Sequence, residues 1–92
     1  MADPVGRKVR LFGRVQGVFF RQWAIKQARA LGVAGWVHNR TDGSLEALIQ
    51  GDEGAVTQMI EGMRRGPPQA HVEDLTIEEI EPEAVEGFSV RL

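Results

Sequence analysis

Residues 8–31, KVRLFGRVQGVFFRQWAIKQARAL, contain a change of hydrophobic period that decides the fold of this chain. From Lys8 to Val15 apolar residues alternate with basic ones, which predicts a strand with one buried and one solvent-facing side. From Arg21 to Leu31 the apolar residues instead recur every three to four positions, which predicts a helix. Gly32 follows where helices commonly end in the left-handed conformation. The stretch is therefore a strand, a glycine-containing loop and a helix.

The rest of the chain continues with further strands and a second helix. Thr41-Asp42-Gly43 is a turn sequence between two runs of β-forming residues and predicts a hairpin. Asp52 is suited to cap the second helix, which Gly66-Pro67-Pro68 ends. The predicted strands after the first helix are 33–39, 45–51, 72–80 with the irregular alternation of a β-bulge, and a short last strand in which Phe88, Val90 and Leu92 share one face.

This order of elements predicts an α+β fold, a ferredoxin-like βαββαβ two-layer sandwich. We expect an antiparallel sheet with both helices on one face and a short extra C-terminal strand. No repeat, linker or low-complexity segment interrupts the chain, so residues 1–92 are expected to form a single domain, with 1–6 as a loose N-terminal tail.

The predicted topology brings separate parts of the sequence to one edge of the sheet. A right-handed β-α-β crossover makes the first two strands parallel, with a later strand between them. Their C-terminal ends then share an edge, where the loop 15–21 and the residues His38 and Asn39 should face a common space. The last strand is also expected to end towards this edge.

Composition excludes several classes of function. The 92 residues include no cysteine, which excludes disulfides, thiolate metal sites and a cysteine nucleophile. No apolar run is long enough to span a membrane. The start MADPVGRK lacks the apolar segment of a signal peptide, so we expect a cytoplasmic protein. The net charge of −2 suits neither a nucleic-acid binder nor a polybasic membrane protein. Residues 1–30 nevertheless carry a net charge of +6 and residues 71–92 a net charge of −6.

The loop GRVQGVFFR, residues 13–21, has the composition of an anion-binding loop. Gly17 can turn several backbone amides inward ahead of a helix N-terminus, and Arg21 adds a planar cationic fork suited to phosphate oxygens. The Gly-Lys-Ser/Thr ending of a nucleotide-binding P-loop is missing. On the loop alone, a plain strand-to-helix turn with a surface arginine is the more common explanation.

The two glycine-rich blocks together resemble the acylphosphatase family. The first block, GRVQGVFFR, is followed about twenty residues later by the block LGVAGWVHNRTDGSLEALIQG, and the chain closes with GFSVRL. The resemblance covers nearly the entire chain. The matching positions are Gly13, Val15, Gln16, Gly17, Val18, Phe20 and Arg21 in the first block and Gly35, Val37, Asn39, Asp42 and Gly43 in the second.

The resemblance implies hydrolysis of acyl phosphates to a carboxylate and inorganic phosphate, without a metal or other cofactor. It implies that Arg21 and the loop amides bind the phosphoryl group and that Asn39 positions the attacking water. An asparagine before a turn more often bonds its own backbone, and the family match together with the shared sheet edge favours the catalytic role. Phe19 and Phe20 are explained equally by walling the pocket and by packing. The expected binding residues are therefore Val15, Gln16, Gly17, Val18, Phe19, Phe20 and Arg21.

The residues that the chain lacks agree with this chemistry. Val15 stands where some phosphatases begin this loop with a cysteine, so no phosphoenzyme is expected there. His38 and His71 are isolated in the sequence and are expected at surface strand positions, without an assigned role. A phosphate monoester would need its leaving alkoxide protonated, whereas the carboxylate released from an acyl phosphate is already stable at neutral pH. Positioning and charge stabilisation should then suffice.

Other functions of the same fold are less compatible with the sequence. An RNA-binding module needs aromatic residues on a central strand, which SLEALIQG lacks, and a heavy-metal carrier needs a Cys-x-x-Cys. A regulatory module that binds a phosphoanion without hydrolysing it stays open. We expect a monomer because no long apolar surface stripe is left over. From the topology we also expect the Leu92 carboxylate to lie near Arg21.

Overall fold

The structure, a computed structural model, describes residues 3–91 and has the predicted two-layer architecture. Two helices pack on one face of a five-stranded sheet of order β4-β1-β3-β2-β5. The elements are β1 (Val5–Arg14), α1 (Phe20–Leu31), β2 (Ala34–Asn39), β3 (Leu45–Gly51), α2 (Glu53–Met63), β4 (His71–Ile80) and β5 (Phe88–Val90).

Local sequence signals set the helix ends. Gly32 closes α1 in the left-handed conformation, and its N–H donates to the carbonyl of Ala28. Asp52 caps α2, because its carboxylate accepts hydrogen bonds from the backbone N–H groups of Gly54 and Ala55. Both terminal signals read from the sequence are therefore confirmed.

The core lies between the sheet and the helices. Along β1, Val9 and Leu11 are fully buried while their neighbours are partly exposed, which is the alternation that predicted the strand. The helices add their apolar stripes to the same cluster. Its helical members are Phe20, Ala24, Ala28, Val56, Met59, Ile60 and Met63.

The sheet differs from the expected antiparallel one at its last strand. β1, β3, β2 and β4 pair antiparallel, but β5 runs parallel to β2, with Gly35 opposite Phe88 and Val37 opposite Val90. The sheet is therefore mixed. The connection 81–87 leads from β4, the outer strand on one side of the sheet, to β5, the outer strand on the other side. β5 then runs in the same direction as its neighbour β2.

The structure corrects the predicted start of β1 and locates the predicted bulge in β4. β1 begins at Val5, so Val5 and Gly6 belong to the sheet and not to a loose tail of residues 1–6. The register of β1 with β4 shifts where Phe12 lies opposite Asp74 and Gly13 opposite Val72. Glu73 is the extra residue, so β4 contains the bulge that its irregular alternation predicted.

The topology places the ends of three strands at one edge of the sheet. β1 and β2 are both antiparallel to β3, which lies between them, and β5 is parallel to β2. The C-terminal ends of β1, β2 and β5 therefore point the same way. The loop 15–19 follows the end of β1, and Asn39 is the last residue of β2, as the sequence predicted.

Candidate active site

The loop between β1 and α1 contains two residues in the left-handed conformation. Gly17 has φ of 71°, and Phe19 has φ of 65° and ψ of 23°. Glycine adopts this conformation without a penalty, whereas a phenylalanine there carries a strain of roughly 1–3 kcal/mol. The two positive φ values turn the chain sharply between the end of the strand and the first turn of the helix.

The N-terminus of α1 carries backbone N–H groups that are unpaired within the described part of the chain. Phe19 occupies the capping position and provides no side-chain hydrogen bond, and the first turn contains no acidic residue. Among residues 3–91, no protein acceptor receives a hydrogen bond from the backbone N–H groups of residues 16–22. These donors, together with the positive end of the helix dipole, favour an anion at this position.

A cavity of about 190 Å³ lies directly at this helix end. Arg21 lines it and is half-buried, and the guanidinium makes no ion pair with any residue from 3 to 91. A planar guanidinium beside several free N–H donors matches the oxygens of a phosphoryl group. The residues lining the cavity are Val15, Gly17, Phe19, Phe20, Arg21 and Gln22.

Gln16 connects the loop to the β2–β3 hairpin and does not line the cavity. Its side-chain amide donates to the carbonyl of Arg40 at 2.8 Å and to the carbonyl of Ser44 at 2.9 Å. The hairpin is thereby joined to the middle of the candidate phosphate loop. The side chain of Gln16 is thus a structural link, and only its backbone N–H is available to an anion.

Asn39 lies at the end of β2 on the face of the sheet that carries the helices. It has the same orientation along the strand as Val37, which belongs to the core beneath α1 and α2. The Oδ1 atom of Asn39 is buried and has no hydrogen-bond partner among residues 3–91. A buried acceptor without a partner costs about 1–3 kcal/mol, so its retention favours a functional role. Asn39 does not line the 190 Å³ cavity, and the hairpin it starts is tied to the loop through Gln16.

Charged and polar side chains stabilise the hairpin that follows Asn39. The Oδ1 atom of Asp42 accepts hydrogen bonds from the hydroxyl of Ser44 at 2.6 Å and from its backbone N–H at 2.9 Å. These two bonds, with the Arg40 guanidinium acting in the same direction, hold the pKa of Asp42 below its ordinary value of 3.8. Arg40 also pairs with Glu46, which in turn pairs with Arg10 of β1 at 3.2 Å.

The two consecutive phenylalanines of the loop have different environments. Phe20 is buried and packs edge-to-face on Trp23, whereas Phe19 is 65% exposed. Phe20 contributes to one wall of the cavity from within the core, and Phe19 borders it from the solvent side. Val15 and Val18 are buried, and the side chain of Val18 does not face the cavity.

One cavity-lining residue was absent from the sequence prediction. Gln22 lies in the first turn of α1 and is exposed at the cavity. Its position three residues after Phe19 is the only sequence signal that could have indicated it, because the third helical residue lies close to an anion bound at the helix end.

Outside this cavity, the described residues include few side chains suited to catalysis or metal binding. His71 is exposed, and His38 is half-buried with its Nδ1 atom 3.3 Å from the carbonyl oxygen of Arg91. Over residues 3–91, no three His, Asp or Glu side chains are grouped so that they could hold a metal ion. Within the same range no helix has the length and hydrophobicity needed to cross a bilayer. Leu92, whose carboxylate was expected near Arg21, lies outside the described residues.

Comparisons with known proteins assign the fold and the site to a family. The model of the acylphosphatase family matches residues 7–90. An acylphosphatase from Acidiphilium cryptum is 49% identical over 87 residues, covering 95% of this chain and 96% of that protein. The chain belongs to the acylphosphatase family.

Solved structures agree with this assignment. The structure of an acylphosphatase from Coxiella burnetii is 37% identical, with a TM-score of 0.92, and the match covers 97% of this chain and 94% of that chain. The crystal structure of the acylphosphatase from Bacillus subtilis is 35% identical, also with a TM-score of 0.92, over 96% and 99% of the two chains.

Proposed function

We propose that this protein is an acylphosphatase that hydrolyses the carboxyl–phosphate bond of small acyl phosphates. One observation carries the proposal: the N-terminus of α1, which has no side-chain cap, and the half-buried residue Arg21 meet at one cavity. The family assignment supports the same reaction.

The phosphoryl group binds in the cavity at the end of α1. The backbone N–H groups of the loop 15–21 donate to its oxygens, and Arg21 donates from its planar fork and neutralises the charge. These donors are held in place before the substrate arrives, because Gln16 fixes the loop to the hairpin. Charge that shifts among the phosphoryl oxygens in the transition state is therefore stabilised without reorganisation.

Water attacks the phosphorus atom directly. Asn39 accepts a hydrogen bond from the attacking water through Oδ1, the buried acceptor that has no hydrogen-bond partner within residues 3–91. The bond between phosphorus and the acyl oxygen breaks, and its electron pair leaves with the carboxylate. Both protons of the water remain on the phosphate, so an acyl phosphate dianion yields one carboxylate and one dihydrogen phosphate. No general acid is needed for this leaving group.

The decisive experiment measures phosphate release from acyl and ordinary phosphate esters. We expect turnover of benzoyl phosphate and acetyl phosphate, and kcat/KM at least about 10²-fold lower for p-nitrophenyl phosphate, whose phenolate is a poorer leaving group. EDTA should leave the rate unchanged. Saturable binding of inorganic phosphate without any hydrolysis of either acyl phosphate would instead indicate a regulatory phosphate-binding module.

We further propose that the protein acts as a cytoplasmic monomer on free small-molecule substrates, without a nucleic-acid, membrane or cofactor partner. The net charge of −2 and the wholly cysteine-free sequence support this. Sedimentation equilibrium at two concentrations tests the oligomeric state.

A further inference from the structure

Gln22 is one of two residues with a polar side chain in the lining of the phosphate cavity, and Arg21 is the other. The remaining lining residues offer only backbone groups for polar contacts; they are Val15, Gly17, Phe19 and Phe20. Arg21 is half-buried, whereas Gln22 is exposed. The side chain of Gln22 therefore lies on the solvent side of the cavity. Phosphate binding and water attack, as proposed, do not use its amide.

Gln22 occupies the third position of α1, where a glutamate or glutamine often forms part of a helix cap. In that arrangement a Ser or Thr at the capping position provides the reciprocal hydrogen bond. The capping residue here is Phe19, whose side chain makes no such bond, and the first turn contains no acidic residue. A glutamate would favour the helix dipole but would repel a bound phosphate. Glutamine keeps the same length without the charge.

The acyl end of the substrate carries an oxygen that a phosphate monoester lacks. When the bond between phosphorus and the bridging oxygen breaks, the electron pair spreads over both oxygens of the leaving carboxylate. A hydrogen bond to the carbonyl oxygen therefore becomes stronger as the reaction proceeds, because charged acceptors form stronger hydrogen bonds than neutral ones. Such a contact stabilises the transition state more than the bound substrate. A neutral donor also forms no salt bridge that would retain the product.

We propose that the side-chain amide of Gln22 donates to the acyl carbonyl oxygen of the substrate and thereby favours acyl phosphates over phosphate monoesters. This inference rests on the proposed function. Arg21 and the loop N–H groups hold the phosphoryl group in the cavity, so the acyl group extends towards solvent, where Gln22 lines the same cavity. The donor then contacts the one oxygen of the acyl group that does not bridge to phosphorus.

The kinetic test uses Gln22→Met, which keeps the approximate length of the side chain and removes the N–H donor. We expect kcat/KM for acetyl phosphate and benzoyl phosphate to fall roughly 3- to 10-fold, the effect of losing one hydrogen bond. The kcat/KM for p-nitrophenyl phosphate and the inhibition constant of inorganic phosphate should not change, because neither molecule has an acyl oxygen. An equal loss for the acyl phosphates and p-nitrophenyl phosphate would overturn the contact.

A binding measurement tests the contact without turnover. Acetonyl phosphonate keeps the carbonyl oxygen and has a methylene group in place of the bridging oxygen, whereas propyl phosphonate lacks the carbonyl. By calorimetry the parent should bind acetonyl phosphonate more tightly, and Gln22→Met should bind the two alike. Equal affinities in the parent would contradict the proposal. If the parent shows the preference but hydrolyses no acyl phosphate, the proposed function fails while the contact is retained.

Gln22→Glu separates contact with the substrate from helix capping. Glutamate is favoured at this helix position, so the variant should unfold at the same temperature as the parent or higher. It has no N–H donor at neutral pH and repels the anion, so it should not restore the activity lost in Gln22→Met. Parental kinetics in Gln22→Glu would reduce the role of Gln22 to capping.

Gln27→Met is the matched control for Gln22→Met. It makes the same change on the same helix, at a half-buried position that does not line the cavity. We expect it to alter neither the kinetic constants nor the preference for acetonyl phosphonate. The same selective loss for acyl phosphates in Gln27→Met would show that the effect does not come from a contact at the cavity, and would overturn the proposal.

Discussion

Arg21 and Asn39 divide the proposed work between binding and attack. Arg21 offers a charged donor at the cavity, and Asn39 offers a buried acceptor at the end of a neighbouring strand. The structure does not place both side chains on one cavity wall, so their roles can be separated by measuring phosphate binding and turnover independently.

Replacing Arg21 with alanine should remove phosphate binding and activity together. Two charge-assisted hydrogen bonds, each worth about 1.5–3 kcal/mol, are lost, so kcat/KM for benzoyl phosphate should fall by at least about 10²-fold. Arg21→Lys should recover little, because an ammonium group lacks the planar fork. Arg14→Ala removes the same charge from an exposed position outside the cavity and serves as the control. Near-parental hydrolysis by Arg21→Ala would contradict the mechanism.

Asn39→Ala should separate binding from catalysis. We expect inorganic phosphate to bind as before and kcat to fall roughly 10²-fold or more, the usual effect of losing one polar contact to the transition state. The neighbouring variant His38→Ala changes a side chain on the opposite face of the sheet and should leave kcat close to the parental value. A parallel decrease of phosphate affinity and kcat in Asn39→Ala would make Asn39 a binding or structural residue.

At the scale of elements, the candidate site depends on the attachment of the loop to the β2–β3 hairpin. Gln16→Met keeps the length of the side chain but removes both donated hydrogen bonds, leaving the carbonyls of Arg40 and Ser44 without this partner. We expect the free energy of unfolding to fall by about 1–3 kcal/mol and phosphate affinity to decrease, since the loop N–H groups are less well fixed.

The control for this prediction is Gln58→Met on the exposed surface of α2. Gln58 is exposed on α2, so the free energy of unfolding measured in urea should change by less than about 0.5 kcal/mol. If Gln16→Met unfolds like the parent and binds phosphate equally well, the attachment does not organise the site.

Local patterns predicted most elements, and long-range contacts account for the differences. The bounds of β3 and the cap at Asp52 follow from a few adjacent residues, and both were predicted as observed. The partners of Gln16 lie 24 and 28 positions away, which no local pattern records. The opposite burial of Phe19 and Phe20 results from the backbone conformation at Phe19, which propensity does not predict for an aromatic residue. The parallel pairing of β5 depends on the path of residues 81–87.

At the scale of the whole molecule, the sequence's two oppositely charged ends are neighbours. β1 and β4 pair so that Arg7 lies opposite Glu79 and Lys8 opposite Glu78, and Arg7 and Glu79 approach to 3.7 Å. Much of the charge asymmetry along the sequence is thus balanced across one strand pair. Arg21 remains apart from it, at the far edge of the sheet.

Stability should depend on pH through Asp42. Because its pKa is lowered in the folded state, its contribution is complete above about pH 3.8 and is lost as the pH falls through the lower folded-state value. We therefore expect the parent to be more stable than Asp42→Asn at neutral pH and this difference to narrow below pH 3.8. Urea unfolding at several pH values measures it. Ser44→Ala, which removes the hydrogen bond from the Ser44 hydroxyl to Asp42, should weaken the same dependence, and a constant difference down to pH 2.5 would contradict the assignment.

The parallel direction of β5 also determines where the protein can be attached to something else. Because β5 runs alongside β2, a fusion partner or affinity tag joined after the last strand would leave the molecule at the edge that carries the phosphate loop. β1 begins at the opposite end of the sheet, so an immobilising tag placed before Val5 would hold the solid support away from the site. A small fluorophore is better placed at the C-terminal end, where its emission could respond to ligand binding.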